Sequence, residues 1–216
     1  MLARRLFILG FIFTLCVVGW SLWRYSFLRH KTPQEYIQDL THRKPAIRAM
    51  SAYELGRLQI KEAVGPLIEA LRDPSYEVRW NAAVALGNIG DPRAIEPLRQ
   101  ALQQDTDVSV QVCAVRSLGK FREPQLTREL LPYLKASNRG LRMAACWGVG
   151  ELGDPTLATE ITPLLNDPDE EVRFVAAVEL GRFKNEEAKK VLEKMKQSKT
   201  PFYREKATEV LEKYYD

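Results

Sequence analysis

The chain has 216 residues, of which 45% are hydrophobic and 28% charged. That balance excludes a disordered or fibrous chain, and the length suffices for one elongated repeat array with a continuous core. The formal charge of +4 comes from the first 31 residues, which hold five Lys or Arg and no acid. The rest holds 27 basic and 28 acidic residues, a near-neutral balance that argues against a nucleic-acid partner.

Residues 1–5 form a short basic N-terminus. Residues 6–23, LFILGFIFTLCVVGWSLW, carry no charge. As a helix this stretch would be about 27 Å long, at the short end for crossing a bilayer. Arg4 and Arg5 precede it, Arg24, Arg29 and Lys31 follow, and Trp20, Trp23 and Tyr25 suit the interfacial zone. The stretch is expected to be an uncleaved transmembrane signal anchor, making membrane lipid a partner through residues 6–23. A cleaved secretory signal competes, but no small-x-small cleavage site follows. A buried helix is the third reading. Basic residues on both flanks leave the orientation open. The N-terminal position favours a single-pass protein with its repeats outside the cytoplasm. Residues 24–33 then form a juxtamembrane link. A basic cluster at Arg24, Arg29, Lys31, Arg43, Lys44 and Arg48 could meet anionic head groups.

Residues 34–216 read as short helices throughout. PQEYIQDL begins the first pair and packs on a helix over 45–58. Residues 61–72 come next, with Gly65-Pro66 bending the helix or delaying its start. The central stretch, 73–102, is two helices joined by a tight turn. Asp73-Pro74 and Asp91-Pro92 open them, and Gly90 is a candidate C-terminal cap. A helix over 108–120 is the least regular. Pro132 and Pro163 fall late in their helices, where a kink or early stop is expected. The charged helices over 186–196 and 201–215 read as a polar cap closing the stack.

A register runs through all of this. Arg48, Arg79, Gln111, Arg142 and Arg173 are each followed eight residues later by glycine, at Gly56, Gly87, Gly119, Gly150 and Gly181. The steps are 31, 32, 31 and 31 residues, and one more reaches Arg204. Three residues after each frame position stands a small residue, Ser51, Ala82, Ala114, Ala145, Ala176 or Ala207. Seven after it stands Leu55, Leu86, Leu118, Val149, Leu180 or Leu211. Small residues let neighbouring helices approach while large ones fill the layer between repeats. The array is expected to contain five to six helix pairs.

The pattern VRxxAAxALGxIGDPxAIxPL, from Val78 to Leu98, resembles HEAT-like repeats of the phycobilisome-lyase type, over about residues 44–216. The resemblance implies an all-α, right-handed α-α superhelix, here preceded by the one N-terminal transmembrane helix. It places helices starting near 46, 76, 108, 139, 170 and 202 on the concave side. It also implies a ladder of hydrogen bonds between repeats, in which an Asp stands six residues before the Arg. Asp73 with Arg79 and Asp167 with Arg173 match, whereas Asp105 faces Gln111 and Ala136 precedes Arg142.

On the inner helices, variable positions one and five after the frame hold Tyr53, Trp80, Arg116, Met143, Trp147 and Phe174. If open, these form a stripe that grips a protein or peptide partner; alternatively they fill contacts between neighbouring helices. Asn81, Asn88, Arg116, Glu151 and Glu179 are candidate rim contacts. No catalytic residue, metal site or cofactor is expected. Cys113 and Cys146 lack CxxC spacing and read as packed thiols, and His30 and His42 belong to no ligand cluster. The leading expectation is a membrane-anchored scaffold without catalysis, its oligomeric state open. The alternative, implied by the resemblance alone, is a bilin-lyase-like enzyme or chromophore chaperone.

Overall fold

The computed structural model describes residues 31–216, which contain twelve α-helices, five short 3-10 segments and no strand. The helices are α1 (Pro33–Asp39), α2 (Pro45–Arg57), α3 (Val64–Ala70), α4 (Tyr76–Ile89), α5 (Ile95–Gln104) and α6 (Val108–Gly119), then α7 (Pro124–Leu130), α8 (Arg139–Leu152), α9 (Ala158–Ile161), α10 (Glu170–Gly181), α11 (Glu186–Met195) and α12 (Pro201–Tyr214). They make six consecutive pairs. Within the compact unit Tyr36–Asp216, the even-numbered helices pack directly on one another, α2 on α4 and so on to α12. The odd-numbered helices cover one side of that layer and touch each other little. Each even helix starts within a residue of its expected position.

The register explains the stacking. Every residue three and seven positions after the frame is buried, from Ser51 and Leu55 to Ala207 and Leu211. Leu98, Leu130, Ile161 and Leu192 enter the same core from the covering helices with essentially no exposure. Burying each such side chain contributes roughly 1.5–3 kcal/mol, which a single short amphipathic helix could not collect alone.

The frame glycines do more than loosen helix ends. A methyl built at Gly56 would lie 2.4 Å from Ala85, and one at Gly119 would lie 2.5 Å from the Gly148 Cα. Gly87 meets Ser117, Gly150 meets Glu179 and Gly181 meets Val210 in the same way. At each of these positions successive even helices pack too closely to admit a methyl without a shift. Gly90 is different: its φ of 69° is left-handed, and it ends α4 as expected, with Gly153 (φ 72°) doing the same for α8.

Proline shapes the covering layer. A 3-10 segment Lys61–Ala63 precedes α3, so Pro66 falls in the first turn of the helix, a delayed start. Pro132 stops α7 at Leu130, after which the chain continues as a 3-10 segment, Leu131–Lys135. Pro163 does the same after the four-residue α9. Asp91 accepts from the Arg93 N–H as a cap, whereas Asp73 does not cap α4, and its carboxylate serves elsewhere.

One part of the expected fold is corrected. The membrane-spanning helix at 6–23 lies outside the described residues, as do residues 1–5 and most of the 24–33 link, and no described helix is long and apolar enough to cross a membrane. The architecture supported here is the all-α HEAT-like solenoid alone.

Candidate functional site

A ladder of arginines runs along the starts of the even helices. Arg48 donates through Nε and Nη2 to both carboxylate oxygens of Asp73, at 2.6 and 2.7 Å. Arg79 grips Asp105 at 2.7 and 2.9 Å, and Arg142 grips Asp167 at 2.8 and 2.9 Å. The remaining Nη1 of each donates to backbone carbonyls at the turn before its own helix, as from Arg79 to Asp73 O at 2.8 Å. The pairing therefore differs from the expected one. The Asp six residues before an Arg offers that Arg only its carbonyl, and its carboxylate binds the Arg of the preceding pair. Each carboxylate also accepts the backbone N–H two residues on. Burial pushes the carboxyls of Asp73, Asp105 and Asp167 up, but the guanidinium and amide hydrogen bonds outweigh it and hold all three below the usual range.

Two rungs depart. At the third, Gln111 keeps the backbone half of the pattern, donating to Asp105 O at 2.8 Å, and Ala136 stands where the carboxylate would be. At the fifth, Arg173 donates through Nη1 to Asp167 O and Pro168 O, and Ser198 stands where the Asp would be.

The six stripe residues divide. Tyr53, Trp80 and Arg116 are exposed, and Met143 and Trp147 are half-buried. Phe174 is 5% exposed, with its ring 4.6 Å from Tyr203 and 5.9 Å from Phe202, and it fills the joint between α10 and α12. Arg116 lies over the Trp147 indole at 5.3 Å. Together with Val112, Gly140, Met143, Ala144 and Val175 these two line an open cleft of about 250 Å³ across α6, α8 and α10. It is mainly apolar, with one cation at its edge. One turn on, Lys120 is half-buried beside Asn88, and burial followed by Arg116 holds its ammonium pKa down. Sequence reasoning reached Arg116, Met143 and Trp147 but not Gly140, Ala144 or Val175. Gly140 was detectable, since it stands where Glu77 and Glu171 stand in sister helices.

The rim candidates are mostly engaged. Asn81 donates to Glu77 O, and Glu151 is paired with Arg122 and Arg182. Glu179 is 3% exposed and faces Gly150 across the α8–α10 joint. Its Oε2 lies 3.1 Å from Arg182 Nη1, yet that contact is misaligned and leaves the oxygen without a hydrogen bond. Burial pushes the Glu179 carboxyl up to about 7, against the pull of Arg182. Cys113 and Cys146 are buried free thiols, and burial pushes Cys113 up to about 11 and Cys146 well above the ordinary thiol value. Among the described residues no group of three or more His, Cys, Asp or Glu is placed to hold a metal ion.

The HEAT-repeat family model matches residues 34–111, 95–161 and 127–212, and the chain belongs to that family. Within it, the chain is similar to lyases of phycobilisome pigments. It is 39% identical to the phycocyanobilin lyase subunit alpha of Synechococcus elongatus over 97 residues, 41% of this chain and 35% of that protein. The corresponding subunit of a Picosynechococcus species is 31% identical over 124 residues, 50% of this chain and 46% of that protein. The chain thus spans between about a third and a half of the length of these two relatives. Among solved structures, the complex of CpcE and CpcF of phycocyanin lyase from Nostoc sp. superimposes with a TM-score of 0.70 at 25% identity, covering 85% of this chain and 77% of that one.

These likenesses correct the leading functional expectation. Lyase subunits, in sequence and in structure, favour the alternative over a non-catalytic membrane-anchored scaffold. The expectation of no enzymatic role falls with it. The placement as a single-pass membrane protein with lipid as a partner is corrected with it, since the structural relative is a lyase complex; residues 6–23 themselves lie outside the described residues.

Proposed function

We propose that the chain is a bilin-lyase-like component, which works with a second protein and holds a linear tetrapyrrole in the cleft between α6, α8 and α10. The observation that carries this reading is the likeness to the CpcE–CpcF complex over 85% of the chain. The cleft chemistry is compatible. A linear tetrapyrrole is flat, conjugated and carboxylate-bearing. The Trp147 indole offers a stacking face, Val112, Met143 and Val175 offer apolar walls, and Arg116 offers a cation at the edge. Cys113 and Cys146 are too deeply buried to bond the pigment, so the role assigned to the described residues is to hold and present it. The exposed Tyr53 and Trp80 extend the same layer and supply aromatic contact for the protein partner.

Mixing the purified chain with phycocyanobilin should give a saturable change in the visible absorbance of the pigment. Trp147→Ala and Arg116→Ala should each weaken that binding about tenfold or more while far-UV circular dichroism is unchanged. An unaltered pigment spectrum at saturating protein would refute the tetrapyrrole reading. Equal binding by both variants would move the site away from the cleft.

A further inference from the structure

The fifth rung of the ladder keeps its arginine and has lost its acid. In rungs one, two and four, Nε and Nη2 of the arginine are closed by an aspartate, at 2.6–2.9 Å. In rung three both halves changed together, Gln111 for the arginine and Ala136 for the aspartate, so no charge is orphaned. Rung five changed only one half. Arg173 is anchored by Nη1 to Asp167 O at 2.7 Å and Pro168 O at 3.0 Å, which fixes its planar fork in the orientation of its sisters. Its Nε–Nη2 edge has no carboxylate and no hydrogen-bond acceptor among the described residues. Ser198, with a side chain too short and uncharged, occupies the aspartate position.

Arg173 lines a cleft of about 350 Å³ between α10, α11 and the turn before α12. Leu165, Val191 and Met195 supply apolar walls, and Lys194 adds a second positive charge. Glu170 also lines the cleft, one turn before Arg173, and makes no ion pair with it. The arrangement is a pre-oriented guanidinium fork, held by its own backbone bonds, beside a cavity wide enough for an amino-acid side chain. Such a fork selects a carboxylate bidentately.

We propose that Arg173 is a docking point for an acidic side chain of a protein partner, which completes the fifth rung in trans as Asp73, Asp105 and Asp167 complete theirs within the chain. The proposal uses none of the tetrapyrrole cleft residues and stands apart from that reading.

The test follows the Arg173 Nε–Hε signal in the full chain by NMR, the signal being identified by its loss in Arg173→Lys. A short capped peptide with a single aspartate is titrated, with its asparagine counterpart as control at matched ionic strength. The aspartate peptide should shift the signal saturably, and the asparagine peptide should not. Ser198→Asp should close the rung internally, place the signal near the shifted position without peptide and abolish the response. No shift with the aspartate peptide overturns the proposal, as does a full response surviving in Ser198→Asp. If Glu170→Gln moves the signal in the free chain and the peptide does not, the fork is already served by Glu170 and the proposal fails.

Discussion

Glu179 and the ladder aspartates respond to protons in opposite directions. Asp73, Asp105 and Asp167 have folded pKa values below their ordinary 3.8, so their contribution is present above that value and is lost as the pH falls through the folded value. Glu179 is raised from 4.5 to about 7, so the folded chain holds its proton more tightly than the unfolded one. Its contribution is complete below pH 4.5 and disappears as the pH rises through 7, a change on the order of 3 kcal/mol at most. Glu179→Gln keeps the shape and removes the titration. Urea unfolding at pH 5 and pH 8 should show wild type losing stability at the higher pH and the variant losing much less. Equal losses would mean that the carboxyl is not responsible.

Even-helix starts were legible from the sequence because the frame repeats: a 31- or 32-residue step carries it from Arg48 through to Arg204, although Gln111 replaces one arginine and the last helix lacks the glycine. The purpose of the frame glycines was not legible, although Gly90 was readable as a cap. A glycine in a string says that a side chain is unwelcome, but not whether a positive φ or a neighbour forbids it. Gly90 belongs to the first kind and Gly119 to the second. Gly119→Ala should lower stability by about 2–3 kcal/mol, because its methyl would strike the backbone of Gly148 and α6 would be pushed from α8. Gly65→Ala, with nothing within 4 Å in α3, should be neutral or gain up to about 1 kcal/mol. Denaturant midpoints of the two variants check both. The ladder pairing was hidden for a related reason. Arg48, Arg79 and Arg142 each serve a carbonyl in their own pair and a carboxylate in the next, and linear spacing showed only the first partner. Phe174 could not be placed either, because exposure at its position depends on Phe202 and Tyr203 in the following pair.

Across the compact unit Tyr36–Asp216, each helix pair leans on its neighbours alone, and damage should stay local. A chain ending at Lys184 lacks α11 and α12 and uncovers Leu180 and Phe174. Hydrogen exchange should then accelerate through α10 while α4 and α6 keep their protection. Uniform acceleration along the chain would show an all-or-none array instead. Five to six pairs and the starts of the even helices were readable at this scale, since the period survives local irregularity, whereas the bounds of the covering helices were not. The tetrapyrrole cleft was only half readable, because Gly140, Ala144 and Val175 matter for the space they leave and not for any group they bring. The uncharged third rung has one more consequence, for how such an array can lengthen. Splicing a new unit into a joint held by an Arg–Asp pair strands two ions unless the newcomer supplies both. Between Gln111 and Ala136 there are no ions to strand, so duplication or loss of a repeat is tolerated most easily there.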